Sequence, residues 1–318
     1  QDGRGTRLAL RARSRGLTAT DVDRALTDDR SLVVTWLNRG TLHLVRREDY
    51  PWLQALTNPP QLAGNARRLA QEGVPPADAE RAVGAVIRAL EREGPLTRAQ
   101  LRARVDAIGV RTEGQALVHV LVLASLRGLV VRGPLVGGDH AFVLVRDWLG
   151  APAPVERERA LGELALRFLA GHGPADAHDL ARWAGLPLRD TRAGLGAVAG
   201  SLVEGAHGLL DRAPGRRTRR LPTPKLLGAF DPVLFGWRSR DPILGGHSSV
   251  VTVNGIFRPV VLVDGRAVGT WGLPGGTVTI TPFADGPPVA LPRLRSEAVD
   301  VARFLGLDPR PAVLADPA

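Results

Sequence analysis

A chain of 318 residues with a formal charge of +10 has room for two or three hydrophobic cores and is biased toward a polyanionic partner. The lack of cysteine excludes disulfides, iron–sulfur clusters and Cys-ligated zinc; the seven histidines form no H-x-x-x-H or H-E-x-x-H pair, so no metal or other cofactor is expected. No run of about 18 apolar residues predicts a membrane span, and the positive charge is almost all arginine, Lys225 being the one lysine.

Taken alone, the opening Gln1 to Arg7 reads as a frayed terminus leading into an apolar helix at Leu8. With no methionine present, the chain is expected to continue upstream of Gln1. The phrase Gly16-Leu17-Thr18-Ala19-Thr20-Asp21-Val22 then returns twice at a domain-sized spacing, as Gly94-Pro95-Leu96-Thr97-Arg98-Ala99-Gln100-Leu101 and as Gly173-Pro174-Ala175-Asp176-Ala177-His178-Asp179-Leu180. Each copy reads as a turn, a capping Thr or Asp and a short amphipathic helix. In the first, Thr18 or Thr20 caps a helix carrying Val22, Ala25 and Leu26. Two β-rich runs between Ser31 and Val45 follow, joined at Asn38-Arg39-Gly40, and then a helix from Glu48 to Leu56, stopped by Pro59-Pro60.

The second copy sits between an amphipathic helix over 77–93 and a longer apolar helix that starts at Thr112 and ends at Arg127-Gly128. A hairpin from Leu129 to Leu144 about Gly137-Gly138 stands where a wing would. The third copy repeats this order: helices over 156–169, 176–183 and 188–202, then a shorter hairpin from Ser201 to Asp211 with His207 at its tip. A linker rich in Pro, Gly and Arg runs over 214–224. Beyond it come β-rich runs over 250–253, 256–263, 266–271 and 277–281, with a strong hairpin signal at Asp264-Gly265, and a last helix over 296–305. The expected fold is α+β: three tandem winged-helix modules over 1–75, 76–152 and 153–221, then a mostly antiparallel β domain with a C-terminal helix over 222–318.

Winged helices in tandem point to double-stranded DNA. Arg216, Arg217, Arg219 and Arg220 cluster in the linker and suit either phosphate contact or a plain solvated tether. Between Gly228 and Leu244, Asp231, Arg238, Arg240 and Asp241 alternate with Phe230, Phe235 and Trp237. That run is either an ion-pair network anchoring the β domain to the third module or a surface guiding a DNA strand. Arg132 on the first predicted wing is a candidate DNA contact, and His140 there and His207 on the second are either DNA contacts or ordinary surface histidines. His43, in a predicted strand with Thr41 and Val45 on its face, is either a hydrogen-bonded structural residue or a further contact.

Three blocks carry a resemblance: Trp36-Leu37-Asn38-Arg39-Gly40-Thr41-Leu42-His43-Leu44-Val45; Ala229-Phe230-Asp231 with Trp237 and Arg240; and Asn254-Gly255-Ile256-Phe257-Arg258-Pro259 followed by Val263-Asp264-Gly265 and Gly269-Thr270-Trp271. In order and over nearly the whole chain they resemble the AlkZ-like DNA glycosylases, a bacterial winged-helix family that excises alkylated bases and unhooks interstrand crosslinks. The resemblance implies DNA contacts at Arg39 and Arg258 and a catalytic signature, Gln-x-Gln or Gln-x-Asp, just before the helix leading into the first module. Gln1 followed by Asp2 fits the second Gln, placing the first upstream of the sequence. Some relatives depart from the signature.

Such a motif suits hydrolysis of the N-glycosidic bond of N7-alkylated purines. The charged base leaves without strong acid assistance, a Gln carbonyl holds the attacking water and Asp2 adds a base. With Lys225 the only side-chain amine, a Schiff-base lyase is disfavoured and a monofunctional glycosylase expected. The protein is expected to be a monomer at the nucleoid in a bacterial cytoplasm, on alkylated or crosslinked duplex. The alternatives are a winged-helix DNA-binding protein or regulator without chemistry, and a protein-interaction scaffold, whose DNA binding would be weak and little affected by salt.

Overall fold

The structure, a computed structural model, describes residues 3–151, 154–213, 224–286 and 290–317. It opens on helices α1 (Gly3–Arg11) and α2 (Ala19–Thr27), so residues 3–7, expected to fray, are already helical. Strands β1 (Leu32–Leu37) and β2 (Thr41–Arg46) follow, then α3 (Tyr50–Thr57) and α4 (Leu62–Gln71). The helix α4 corrects the expected stop at Pro59-Pro60. Those prolines form a short 3-10 turn whose φ already suits a helix, so they lead into one.

Next come α5 (Pro76–Glu93), α6 (Arg98–Asp106) and α7 (Ala116–Leu126), then β3 (Val130–Val136), β4 (Asp139–Leu144) and α8 (Val145–Trp148). Thr112 does not start α7. Its hydroxyl donates to Asp106 Oδ1 at 2.5 Å and accepts from Arg102, closing the loop ahead of the helix. Helices α9 (Arg157–His172), α10 (Ala177–Ala184) and α11 (Leu188–Ala197) precede a small hairpin, β5 (Leu202–Glu204) and β6 (Leu210–Arg212).

The remaining elements are β7 (Lys225–Leu227), α12 (Asp241–Leu244), β8 (Val260–Val263), β9 (Arg266–Gly272), β10 (Thr279–Pro282), α13 (Leu291–Leu305) and β11 (Val313–Leu314). Residues 250–253, expected as a strand, are a 3-10 turn and a single bridge from Val251 to Phe257. Helix α13 starts five residues before Ser296, with Pro292 in its first turn, and β7 and β11 carry no alternating pattern long enough to announce them.

Contacts divide the chain into two compact units: Asp23–Asp211, and a second made of Gln1–Val22 with Arg212–Ala318. In the first, an antiparallel sheet runs in the order β2-β1-β3-β4, so one sheet joins the strand pair that follows the first copy of the repeat in sequence to the pair that follows the second. One of its faces packs Trp36 and Phe142 against Val83, Val86, Leu101, Leu117 and Leu121. The opposite face packs Val33, Val131 and Val143 with Tyr50 and Trp148. The second unit is built on a sheet ordered β11-β10-β9-β8-β7, antiparallel except for β11 on β10, and its core gathers Leu227, Leu234, Val260, Leu262 and Phe257. The mixed α+β class and the largely antiparallel C-terminal sheet with its helix follow the expectation. Among the described residues no helix is long and apolar enough to cross a membrane.

The threefold phrase has a physical basis. In every copy the capping side chain accepts from the backbone N–H three residues on, and the side chain there accepts in return: Thr18 with Asp21, Thr97 with Gln100, Asp176 with Asp179. In the second and third copies the residue before the cap also bridges to the returning hairpin strand, Leu96 to Phe142 and Ala175 to Leu210.

Candidate nucleic-acid interface

The helices that follow the capped helix differ sharply between copies. In α7 every residue from Val120 to Leu126 is buried, and Val118 and His119 alone in the helix are partly exposed. Helix α11 lies so close to α9 that a Cβ on Gly194 would stand 2.5 Å from the Leu161 carbonyl oxygen. Its opposite side is open, with Arg189, Arg192, Ala193, Gly196 and Ala197 exposed. Beside the open helix in sequence, His207 is exposed at the turn of the β5–β6 hairpin, with φ of 61°.

Arg39 sits between β1 and β2 at φ 57°, and its guanidinium donates to the carbonyls of Arg182 (3.2 Å) and Trp183 at the C-terminal end of α10. A cation placed on those orphan carbonyls favours the helix end. His43 pairs in register with Thr35, and its Nε2 lies 2.9 Å from Thr41 Oγ1. Burial, reinforced by the Arg39 charge, pushes the imidazole down to about 4, so it is neutral at physiological pH. Thr35 is fully buried, and its hydroxyl makes no hydrogen bond.

Arg132 on β3 lies over two rings, 5.3 Å from the Trp36 centroid and 5.9 Å from that of Phe142. Burial, with Arg98 nearby, holds its guanidinium below the usual arginine range. His140 is half-buried on β4, its Nδ1 3.2 Å from the Gly133 carbonyl, while Gly137 and Gly138 at the tip of that hairpin are exposed.

In the second unit, Arg240 donates from Nε to the Leu234 carbonyl at 2.8 Å and lies 5.0 Å from the Phe257 ring. Phe257 in turn packs against Phe235 (4.4 Å between centroids) and Phe230 (5.5 Å). Arg238 and Arg258 are exposed, and the turn at Asn254-Gly255 shows Val253 and Ile256 to solvent. The ion pair expected from this charged and aromatic run exists, with a different partner. Asp231 is fully buried and takes both terminal nitrogens of Arg13, at 2.7 and 2.9 Å, so it holds the segment after α1.

Residues Gln1, Asp2, Arg216, Arg217, Arg219 and Arg220 lie outside the described residues. Sequence reasoning passed over Arg11, Arg13, Glu297 and Asp300. Arg11, 2% exposed, donates to Glu297 at 3.0 Å, to Asp300 at 2.8 Å and to the Leu226 carbonyl at 2.7 Å. A lone charge on the apolar side of a short helix was the only signal for it. Glu297 also receives Lys225 Nζ at 2.6 Å, so the single side-chain amine is engaged in an ion pair.

Comparison with known proteins adds a second line of observation. The family model described as DNA glycosylase AlkZ-like matches residues 1–304. An interstrand DNA cross-link repair glycosylase of Streptomyces sahachiroi is 30% identical, the match covering 89% of this chain and 81% of that protein. The solved structure of the Streptomyces sahachiroi DNA glycosylase AlkZ superposes with a TM-score of 0.81 at 25% identity, over 99% of this chain and 90% of that one.

Proposed function

The chain belongs to the AlkZ-like DNA glycosylase family, and from that premise we propose that it is a monofunctional glycosylase of alkylated purines in duplex DNA. The match over residues 1–304 carries the reading, because it spans Gln1 and Asp2 as well as both units. Gln1 orients the attacking water through its carbonyl oxygen, and Asp2 takes a proton from it as the bond to a positively charged N7-alkyl purine breaks. The engaged Lys225 supports hydrolysis without a lyase step. The Streptomyces sahachiroi relative is named for interstrand cross-link repair, and we extend that substrate to this chain.

The reciprocal caps and the bridges at Leu96 and Ala175 support winged-helix modules over 76–152 and 153–221, with a first module over 1–75 sharing its sheet with the second. Of the DNA contacts, the exposed positions Arg238, Arg258 and His207 are assigned to the phosphates, with Arg216, Arg217, Arg219 and Arg220 of the linker. Arg132 and His140 belong to the strands of the β3–β4 hairpin and are assigned to the duplex beside it. Arg39, Arg240 and His43 support the surface from within, since their polar atoms are directed at protein groups. We place the protein, as a monomer, with the chromosome in the bacterial cytoplasm.

The test is release of N7-methylguanine from a defined duplex by the full-length protein, read as alkali-labile abasic sites. Release that falls about 10²-fold or more in Gln1→Ala is expected. Tight, salt-dependent duplex binding with no base release would leave a DNA-binding protein without chemistry.

A further inference from the structure

We propose that the C-terminal sheet and α13 form a positioning device for the catalytic end of α1, with Arg11, Arg13 and Gly228 as its positioning residues. The proposal rests on the assignment of Gln1 and Asp2 given above. In the sequence Gln1 and Asp2 run directly into Gly3, the first residue of α1, so the start of this helix is their covalent anchor.

Three attachments fix the helix. At its last residue, Arg11 is enclosed by Glu297, Asp300 and the Leu226 carbonyl, while Glu297 is itself held by Lys225 and by the Leu226 N–H at 3.2 Å. Two residues on, Arg13 grips Asp231, whose carboxylate also accepts from the Val233 N–H at 3.0 Å. At the other end of the helix, the chain passes so near Gly228 that a Cβ there would lie 2.9 Å from Gly5 Cα and 2.9 Å from Leu8 Cβ. The ion pairs set the rotation of the helix and its position along its axis, and Gly228 sets its height above the sheet.

Stability alone is a weak reason for this arrangement. Buried ion pairs gain little over apolar packing of the same volume, and here Arg11 Nε is buried with no hydrogen bond. What directional pairs supply is a single fixed geometry. A misplacement of about 1 Å in a water-orienting group lowers a rate about 10²-fold. The device therefore acts on the chemical step and little on duplex binding.

The experiment is single-turnover release of N7-methylguanine, with duplex affinity measured alongside, for the full-length protein carrying Gly228→Ala, Gln1→Ala or both. Gly228→Ala is expected to slow release about 10-fold to 100-fold while the Kd for duplex stays within about threefold. In the Gln1→Ala background the same change is expected to cost little more, because the group it misplaces is already gone. Should Gly228→Ala not fold, Asp300→Asn takes its place, since that carboxylate is partly exposed. A folded variant that releases base at the normal rate overturns the proposal, as does a loss that persists in full without Gln1 or that falls equally on duplex affinity. Failure of the underlying assignment shows separately, as a Gln1→Ala protein with unchanged release, and the positioning claim falls with it.

Discussion

Helices α7 and α11 follow the same capped helix in two copies of one pattern, yet one is enclosed and the other is open. The sequences explain the difference. Ala116 to Leu126 is apolar almost all round and fills the space among α4, α5 and the β1–β3 strands. Leu188 to Ala197 has one packing edge, centred on Thr191, Gly194 and Leu195, and keeps arginine and small residues outside. A shared local pattern therefore fixes a local shape and leaves its use to the neighbours. In the second copy the helix became the centre of a joined core; in the third its outer face remained open.

The largest test of that contrast is one substitution made in both places. Leu121→Asp puts a carboxylate into a closed apolar site and is expected to cost more than about 4 kcal/mol, seen as loss of a cooperative thermal transition. Ala193→Asp on the open face is expected to leave stability within about 0.5 kcal/mol while weakening duplex binding by charge repulsion. Unchanged duplex affinity in the folded Ala193→Asp protein would break the comparison.

A smaller effect sharpens the description of the enclosed side. His43 sits in its joined sheet with a pKa of about 4, below the ordinary 6.5. Its contribution to stability is therefore complete above pH 6.5 and is lost as pH falls toward 4, because the unfolded chain takes up the proton first. The loss amounts to at most about 3 kcal/mol, less whatever solvent access relieves. Melting temperatures between pH 7 and 4.5 should fall less steeply in His43→Gln, and equal slopes would remove His43 as the cause.

The smallest effect asks where the two copies are alike. Thr97→Ala and Asp176→Ala each remove one half of a reciprocal cap and should each cost about 1 kcal/mol by chemical denaturation. A large inequality between them would mean that the repeated phrase does different things in its two settings.

Much of this was legible in the sequence because it is local. Thr97 with Gln100 and Asp176 with Asp179 announce helix starts by spacing alone, and Gly137-Gly138 announces a hairpin. The extent of α4 was hidden by prolines that read as a stop and act as a first turn. The partner of Asp231 was misread for a different reason: its run shows that charges must be paired, while nothing in it identifies Arg13, 218 positions away. The same holds for Arg11, whose ion pair with Glu297 spans 286 positions. Pairings at that range are decided by tertiary packing, which leaves no period in the chain. The open face of α11 was not read from the sequence, and its contrast with α7 appears only in the packing of the two helices.

The pairing of Arg11 with Glu297 also bears on the order in which the molecule can be made. Helix α1 leaves the ribosome ahead of α13, which holds it and follows about 280 residues later. At about 5 to 20 residues per second, that interval is tens of seconds during which α1 lacks its final partners. A helix of nine residues is marginal by itself in water. Helix α1 therefore completes its structure long after it is synthesised, and a polypeptide arrested before α13 would carry an untethered α1 even with every residue from Asp23 to Asp211 already folded.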